Sequence, residues 1–495
     1  MDDSPLNAKS NPAVEWYVWA ALGVVVARLW IQPMSSSFSL DETGTFLLVQ
    51  GTFSQMLEKC ARWIGQPAFF VSIVWPFAQL PGPREVILRL PSFIGLSIAT
   101  AFVYRIGKRL LGNESAGAAT LLFASLGAYY AADARPYALG MMSASGAVLM
   151  LIRWMDTGRL LDAIGYACFA ALTVYFHFLF SVMFLAHGVY IGLRFWRGGR
   201  PKPAALLSTC TLILVLLLPL GARFLRVISA RGSFSFVSKP RLASIVLDTF
   251  PEYFYAFLVV GFLLVILFCS EVKFSRTWTI QPEVWLLLMW AIVPPSLLYL
   301  ISYVSPTSVL LPRYFSVALP GLALSVAWVF SSFGPPLART ILVMTLVAGA
   351  ILDRGGSPRK VRHANEDWRE AMAVVKQQTD AVSMPVLVRS DFIESADPAI
   401  FTDPDQAEFL LAPQLAYPVG GIVIPLPIHA ERESFQRLDS IVDQILVKGD
   451  RFLLVGSALD ERYQIWLKGR LHSQNFTGHP LGSFGTVAVV LFERK

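Results

Sequence analysis

The chain has 495 residues, 55% hydrophobic and only 15% charged, with a mean hydropathy of +0.55; soluble chains carry roughly 25% charged residues, so a wholly soluble protein is excluded. The net charge of +7 divides unevenly, with 25 basic and 15 acidic side chains in residues 1–352 against 16 and 19 in residues 353–495. That excludes a basic nucleic-acid-binding tail and predicts a membrane domain over 1–352 followed by a soluble domain over 353–495.

Apolar runs of about 20 residues, the length of a membrane span, fall near 14–32, 88–107, 115–132, 137–155, 161–178, 180–195, 203–222, 253–270, 283–303, 314–332 and 337–352. The runs at 161–178 and 180–195 are separated only by the His177 region, which leaves open a single misread unit. No small-residue cleavage pattern follows the first run, so an uncleaved first span is expected.

Between the first two spans, residues 33–87 hold SLDETGTFLLVQGTFSQMLEKCARWI and then the apolar QPAFFVSIVWPFAQL, too short to span. Both suit amphipathic helices lying in the interface plane. Basic residues set orientation. Arg105, Lys108, Arg109, Arg153, Arg159, Arg194, Arg197, Arg200, Lys202, Lys273, Arg276 and Arg339 share one side if the spans are odd in number. Taking that side as cytoplasmic puts the N-terminus inside and the tail outside. The opposite loop 223–250 still carries Arg223, Arg226, Arg231, Lys239 and Arg241, a charge excess suited to an anionic ligand.

The tail mixes a helical stretch, NEDWREAMAVVKQQ, capped by Asn365 or Asp367, with the short apolar runs PVLVRS, GIVIPL, RFLLVGS and GTVAVVLFERK. Their length and β-branched content predict strands, hence a small α/β domain. Cys60, Cys168, Cys210 and Cys269 form no CxxC pair, so neither a disulfide framework nor a zinc site is indicated.

Charge at the edge of a bilayer is costly and marks functional candidates. Asp41 and Glu42 stand about ten residues past the first span; Asp41 reads either as a helix cap or as a base near the membrane surface. In DARPYAL, Asp133 and Arg135 either pair with each other or, with Tyr137, offer phosphate a guanidinium fork and a hydroxyl. Pro136 suits the first position of the next span. Arg313 and Tyr314 of PRYF serve equally as snorkelling anchors or as ligand groups. His177 in YFHFLF reads as a structural residue or, with Asp133, as part of a metal site lacking any spacing motif.

This ordered set resembles the GT-C membrane glycosyltransferases, in the branch of the protein O-mannosyltransferases, aminoarabinose transferases and Rgt-type enzymes. The features that carry it are the acidic pair after the first span, the apolar Q-P segment, LRLPS at Leu88 to Ser92, DARPYAL, the YFHF histidine, and PRYF with its run to Pro320-Gly321. They cover roughly residues 14–330, and EDWREA in the tail is similar to outer-face α/β domains of some bacterial members.

The resemblance implies a mostly α, polytopic helical bundle with a C-terminal soluble α/β domain, in a bacterial inner membrane with that domain periplasmic. It implies inverting transfer of a sugar from a polyprenyl-phosphate donor to an acceptor hydroxyl on a lipid, glycan or protein. Asp41 would be the general base and Glu42 would orient it or bind the acceptor. Arg135, Tyr137, Arg313 and Tyr314 would hold the donor phosphate. Asp133 and His177 would support that site, with a divalent cation (Mg²⁺ or Mn²⁺) as the one cofactor considered. A transporter or flippase of polyprenyl-linked sugars is the competing reading, but no paired repeat supports it. A scaffold acting through its tail leaves Asp41, Asp133 and Arg313 without a role.

Overall fold

Backbone polar groups in hydrocarbon find no water, so apolar runs close their hydrogen bonds within helices. All eleven expected spans coincide with helical segments in the computed structural model. It describes residues 12–63, 68–198, 201–229, 239–269, 281–355, 363–396, 398–401, 403–428, 439–441, 449–457, 469 and 475–495. Arg200, Arg231, Lys273 and Arg276 of the basic loops lie outside them.

Eight of these helices are long and apolar enough to cross a membrane, and the chain is a multi-pass membrane protein. Three expected spans are shorter than the sequence suggests: Asn113–Leu126, Leu160–Phe176 and Glu252–Phe268. The first is cut at Gly127, after which Ala128–Ala131 forms a separate turn. The 161–195 stretch is two elements, because His177 adopts extended geometry and a 3₁₀ turn, Phe178–Met183, precedes the helix Phe184–Trp196.

Packing divides the chain into two compact units. Unit one comprises Met1–Met34 and Arg89–Val361; unit two comprises Ser35–Leu88 and Arg362–Lys495. Residues 35–88, expected to belong with the membrane part, thus cluster with the tail.

Unit one has a continuous apolar core that includes Trp30, Phe123, Trp154, Tyr190 and Trp290. Four helix ends converge through ion pairs: Arg109 on Asp156 at 2.6 Å, Arg194 on Asp156 at 2.7 Å, and Arg194 on Glu283. These are the ends after Leu110, Thr157 and Trp196 and the start at Pro282. Arg109 and Arg194, two of the basic residues expected on one side, meet there, and DARPYAL, His177 and PRYF sit at the opposite helix ends.

In unit two the run SLDETG…ARWI is not one helix but two, Leu40–Leu48 and Phe53–Arg62. Gly51 breaks it with φ +90°, a conformation that favours glycine, and Thr52 recaps the second helix in a box with Gln55. The apolar segment that follows is the helix Ala68–Ala78.

The tail's helix Trp368–Ala381 is capped by Asp367, whose carboxylate accepts the Glu370 N–H at 3.0 Å. Its strands are β1 Val386–Arg389, β2 Val423–Pro425, β3 Arg451–Ser457, β4 Phe476–Phe484 and β5 Val487–Arg494. They form one sheet in the order β2-β1-β3-β5-β4. β1 pairs in parallel with β2 and β3, while β5 pairs antiparallel with β3 and β4. Trp368, Met372 and Val375 pack on Val386, Val388, Leu453, Val455, Val487 and Val489 to make the core of this unit. β4 carries none of the apolar signal of the other four, since it is a largely exposed edge strand with Gly478, Pro480 and Gly482 and a register shift.

Candidate active site

In unit one the DARPYAL turn delivers Asp133, Arg135 and Tyr137 just ahead of the helix Tyr137–Thr157. Pro136 occupies the cap position, one residue before the first helical position expected of it. The Arg135 N–H donates to the Asp133 carbonyl at 2.7 Å, which tightens the turn. The Ser92 hydroxyl of LRLPS donates to the Arg135 carbonyl at 3.2 Å, so that motif acts as a brace for the arginine. Asp133 and Tyr137 are buried; Arg135 is half-buried.

His177, at the C-terminal end of Leu160–Phe176, is walled by three rings: Tyr314 at 4.9 Å, Phe180 at 5.0 Å and Tyr137 at 5.8 Å between centroids. The charges of both Arg135 and Arg313 act on it. Its buried Nδ1 has no hydrogen-bond partner among the described residues. PRYF forms the 3₁₀ segment Pro312–Ala318, which stacks the Arg313 guanidinium 5.5 Å from the Tyr314 ring. Residues 135, 137, 177, 313 and 314, distant in sequence, are thus brought together.

Two groups not singled out from sequence extend this cluster. Tyr130 is buried within electrostatic reach of Asp133, Arg313 and Arg354, and its hydroxyl bonds Ser316. Arg354, near the end of the helix Pro336–Gly355, lies 5.5 Å from the Tyr129 ring. The tandem tyrosines before DARPYAL are the only local signal; Arg354 reads as an ordinary charge ending a span. Two guanidiniums acting on His177 disfavour a cation at that ring, and Asp133 and His177 share no metal-ligand group among the described residues.

In unit two Asp41 lies, half-buried, in the first turn of Leu40–Leu48, where the helix dipole favours an anion. It is not the cap. Ser39 is, and fully buried Glu42 completes the capping box by accepting the Ser39 N–H at 2.8 Å. The first helical N–H, of Leu40, donates instead to Glu366 at 2.7 Å. Glu366 belongs to EDWREA and also accepts from the Trp368 indole at 3.2 Å. Burial raises its carboxyl above the usual range, and the Asp41 and Asp391 charges add to the rise.

His363 stands beside this turn, its N–H on the Ser36 hydroxyl at 3.1 Å and its Nε2 3.9 Å from Glu42. An imidazole and a carboxylate, both buried, are a donor pair that fits a divalent cation. Behind them Arg369 pairs with Glu85 at 2.6 Å, and the Tyr417 hydroxyl donates to Glu85 at 3.0 Å while accepting the Phe38 N–H at 2.9 Å. Burial, with the Glu85 charge, pushes the Tyr417 phenol up to about 12, so it stays a donor at neutral pH. Glu366 and Arg369 are visible in sequence only as part of EDWREA, and His363, Glu85 and Tyr417 do not stand out, because each matters only through the partner that the fold supplies.

Residues 66–222 match the family described as dolichyl-phosphate-mannose-protein mannosyltransferase. ArnT from Cupriavidus metallidurans in the apo state is similar with TM-score 0.53 and 12% identity, over 97% of this chain and 98% of that one. The same protein bound to undecaprenyl phosphate gives TM-score 0.54 at 12% identity, over 96% and 98%. No curated protein matches the chain by sequence. The fold is the GT-C fold of membrane glycosyltransferases, carried through to the terminal α/β part.

Proposed function

We propose that this multi-pass protein of GT-C fold transfers a sugar from a polyprenyl phosphate to an acceptor hydroxyl. The observation that carries the reading is the convergence of Arg135 and Arg313 about His177, roofed by Tyr137 and Tyr314, at the helix ends opposite the Arg109–Asp156–Arg194 network. Two guanidiniums in one aromatic pocket can neutralise a phosphate without a nucleotide-binding fold. Undecaprenyl phosphate bound to ArnT supports the donor class.

In this reading Asp41 takes the proton of the acceptor hydroxyl as its oxygen attacks the anomeric carbon, on the face opposite the phosphate. The bond from that carbon to the phosphate oxygen breaks, and configuration inverts. The polyprenyl phosphate leaves as an anion held by Arg135 and Arg313, with Tyr137 and Tyr314 donating to its oxygens. Glu42 serves the base by fixing the start of its helix rather than by binding acceptor. Asp133 holds the turn that presents Arg135, and His177 forms the floor of the pocket. A divalent cation suits Glu42 and His363, whose donor atoms and spacing fit one. The reacting face is periplasmic, in a bacterial inner membrane, with the N-terminus cytoplasmic.

Mass spectrometry of lipids that copurify with the protein tests the donor class. A polyprenyl phosphate bearing one sugar is the expected species. Repeated recovery of nucleotide sugars in its place, with transfer from them, removes the reading.

A further inference from the structure

The first turn of the Asp41 helix is held by carboxylates from two places in the chain. One is Glu42 of its own capping box. The other is Glu366, reaching the Leu40 N–H from 326 residues away. Leu40, immediately before Asp41, otherwise leaves one of the orphan donors that every helix start presents. Asp41 and Glu366 are close enough for their charges to interact.

Glu366 is itself immobilised. Its partner Trp368 is fully buried, residue 366 bridges to Gly485 in the β4–β5 turn, and the Asp367 N–H donates to the Phe484 carbonyl at 3.1 Å. The flanking residues hold the same strip of chain. The His363 N–H bonds the Ser36 hydroxyl at 3.1 Å, the Arg369 N–H bonds the Ser37 hydroxyl at 3.1 Å, and the Arg369 guanidinium bonds the Ser35 carbonyl at 2.9 Å. Residues 363–369 are therefore tied to residues 35–40 by four hydrogen bonds, with Glu366 on Leu40, the residue beside Asp41.

We infer that Glu366 is a positioning residue for Asp41: by accepting the Leu40 N–H it sets the start of the helix and with it the direction of the catalytic carboxylate. This rests on the assignment of Asp41 as the base. Glu366 touches no substrate and moves no proton. Its hydrogen bond, not its charge, does the positioning, because a helix N–H needs only an acceptor oxygen in the right place.

The test uses the full-length protein in detergent micelles with a panel of undecaprenyl phosphates bearing a hexose, a pentose or an aminopentose. The donor turned over by the wild type serves as probe. Glu366→Ala, Glu366→Gln and Asp41→Asn are compared for kcat, donor KM and thermal midpoint. Glu366→Ala is expected to lower kcat by about 10- to 100-fold, with donor KM within twofold, in the fraction that remains folded. Glu366→Gln, which keeps an acceptor oxygen, regains most of that turnover. A Glu366→Ala enzyme with lowered midpoint but unchanged kcat per folded molecule overturns the inference, and so does equal loss in Ala and Gln. Full turnover by Asp41→Asn overturns the base assignment instead, which separates the two failures.

Discussion

Replacing Asp41 by Asn keeps the shape of the first turn and removes the carboxylate proposed as proton acceptor. Turnover is expected to fall by about 10² to 10⁴-fold, the range for loss of a general base, with donor affinity unchanged; near-normal transfer would dismiss the assignment. Arg313→Ala tests the proposed hold on the donor phosphate. Loss of a charge-assisted hydrogen bond costs about 1.5–3 kcal/mol, or roughly 10- to 150-fold in donor affinity at 1.4 kcal/mol per decade. An unaltered dissociation constant for undecaprenyl phosphate would free Arg313 from that duty. Glu366 makes a pH prediction. Its folded carboxyl is raised above the ordinary 4.5, so the native state binds more protons than the unfolded one in the window above that value. The contribution is fully present below 4.5 and is lost as pH rises through the folded value. The thermal midpoint of Glu366→Gln relative to wild type should thus climb between pH 4.5 and neutrality; a constant difference would contradict the burial of the acid.

Among elements, the helix Tyr137–Thr157 carries a feature that reaches the site through packing. A Cβ at Gly140 would intrude on the Phe180 ring, which in turn lies against His177. Gly188, in Phe184–Trp196, has nothing within 4 Å of the same position. Gly140→Ala should destabilise by about 1–3 kcal/mol through overpacking and weaken donor binding as Phe180 shifts. Gly188→Ala should be neutral or stabilising by about 0.5–1 kcal/mol. Matched thermal melts and donor titrations check the pair, and equal behaviour would deny the coupling.

The same scale shows what sequence can carry. Helices driven by 20 apolar residues were legible, as were strands β1, β2, β3 and β5 with their β-branched runs. β4 was not, because an exposed edge strand needs no apolar pattern and its glycines and proline read as loop. The break at Gly51 was missed because the apolar periodicity runs on through it, while the recapping by Thr52 and Gln55 is a three-residue signal. Arg135, Tyr137, His177, Arg313 and Tyr314 stood out by their cost at a membrane edge. Arg354 and His363 did not, and Glu366 was visible only as part of EDWREA, since their partners are unreadable until the chain is folded.

At the scale of the molecule, the division into units cuts across chain order: residues 35–88 form part of unit two with residues 362–495. The strip Ser35–Leu40 is fixed by His363, Glu366, Arg369 and Tyr417. Deleting residues 363–495 should therefore abolish transfer altogether, not merely relax acceptor choice, because the Asp41 helix loses its anchors. Circular dichroism of the truncated chain should still report the helices of unit one. Retained turnover by that truncation would show that the tail only selects acceptors.

The hydrogen bond between Leu40 and Glu366 also sets a schedule for birth. At roughly 5–20 residues per second of synthesis, the ribosome reaches position 366 on the order of twenty seconds to a minute after position 40. For most of that interval the nascent protein lacks Arg313 as well, and only over the stretch from residue 313 to residue 366 does it hold both arginines of the pocket without the brace for its carboxylate. If the proposed transfer is what this protein does, unfinished chains should therefore stay catalytically silent until residue 366 has been added.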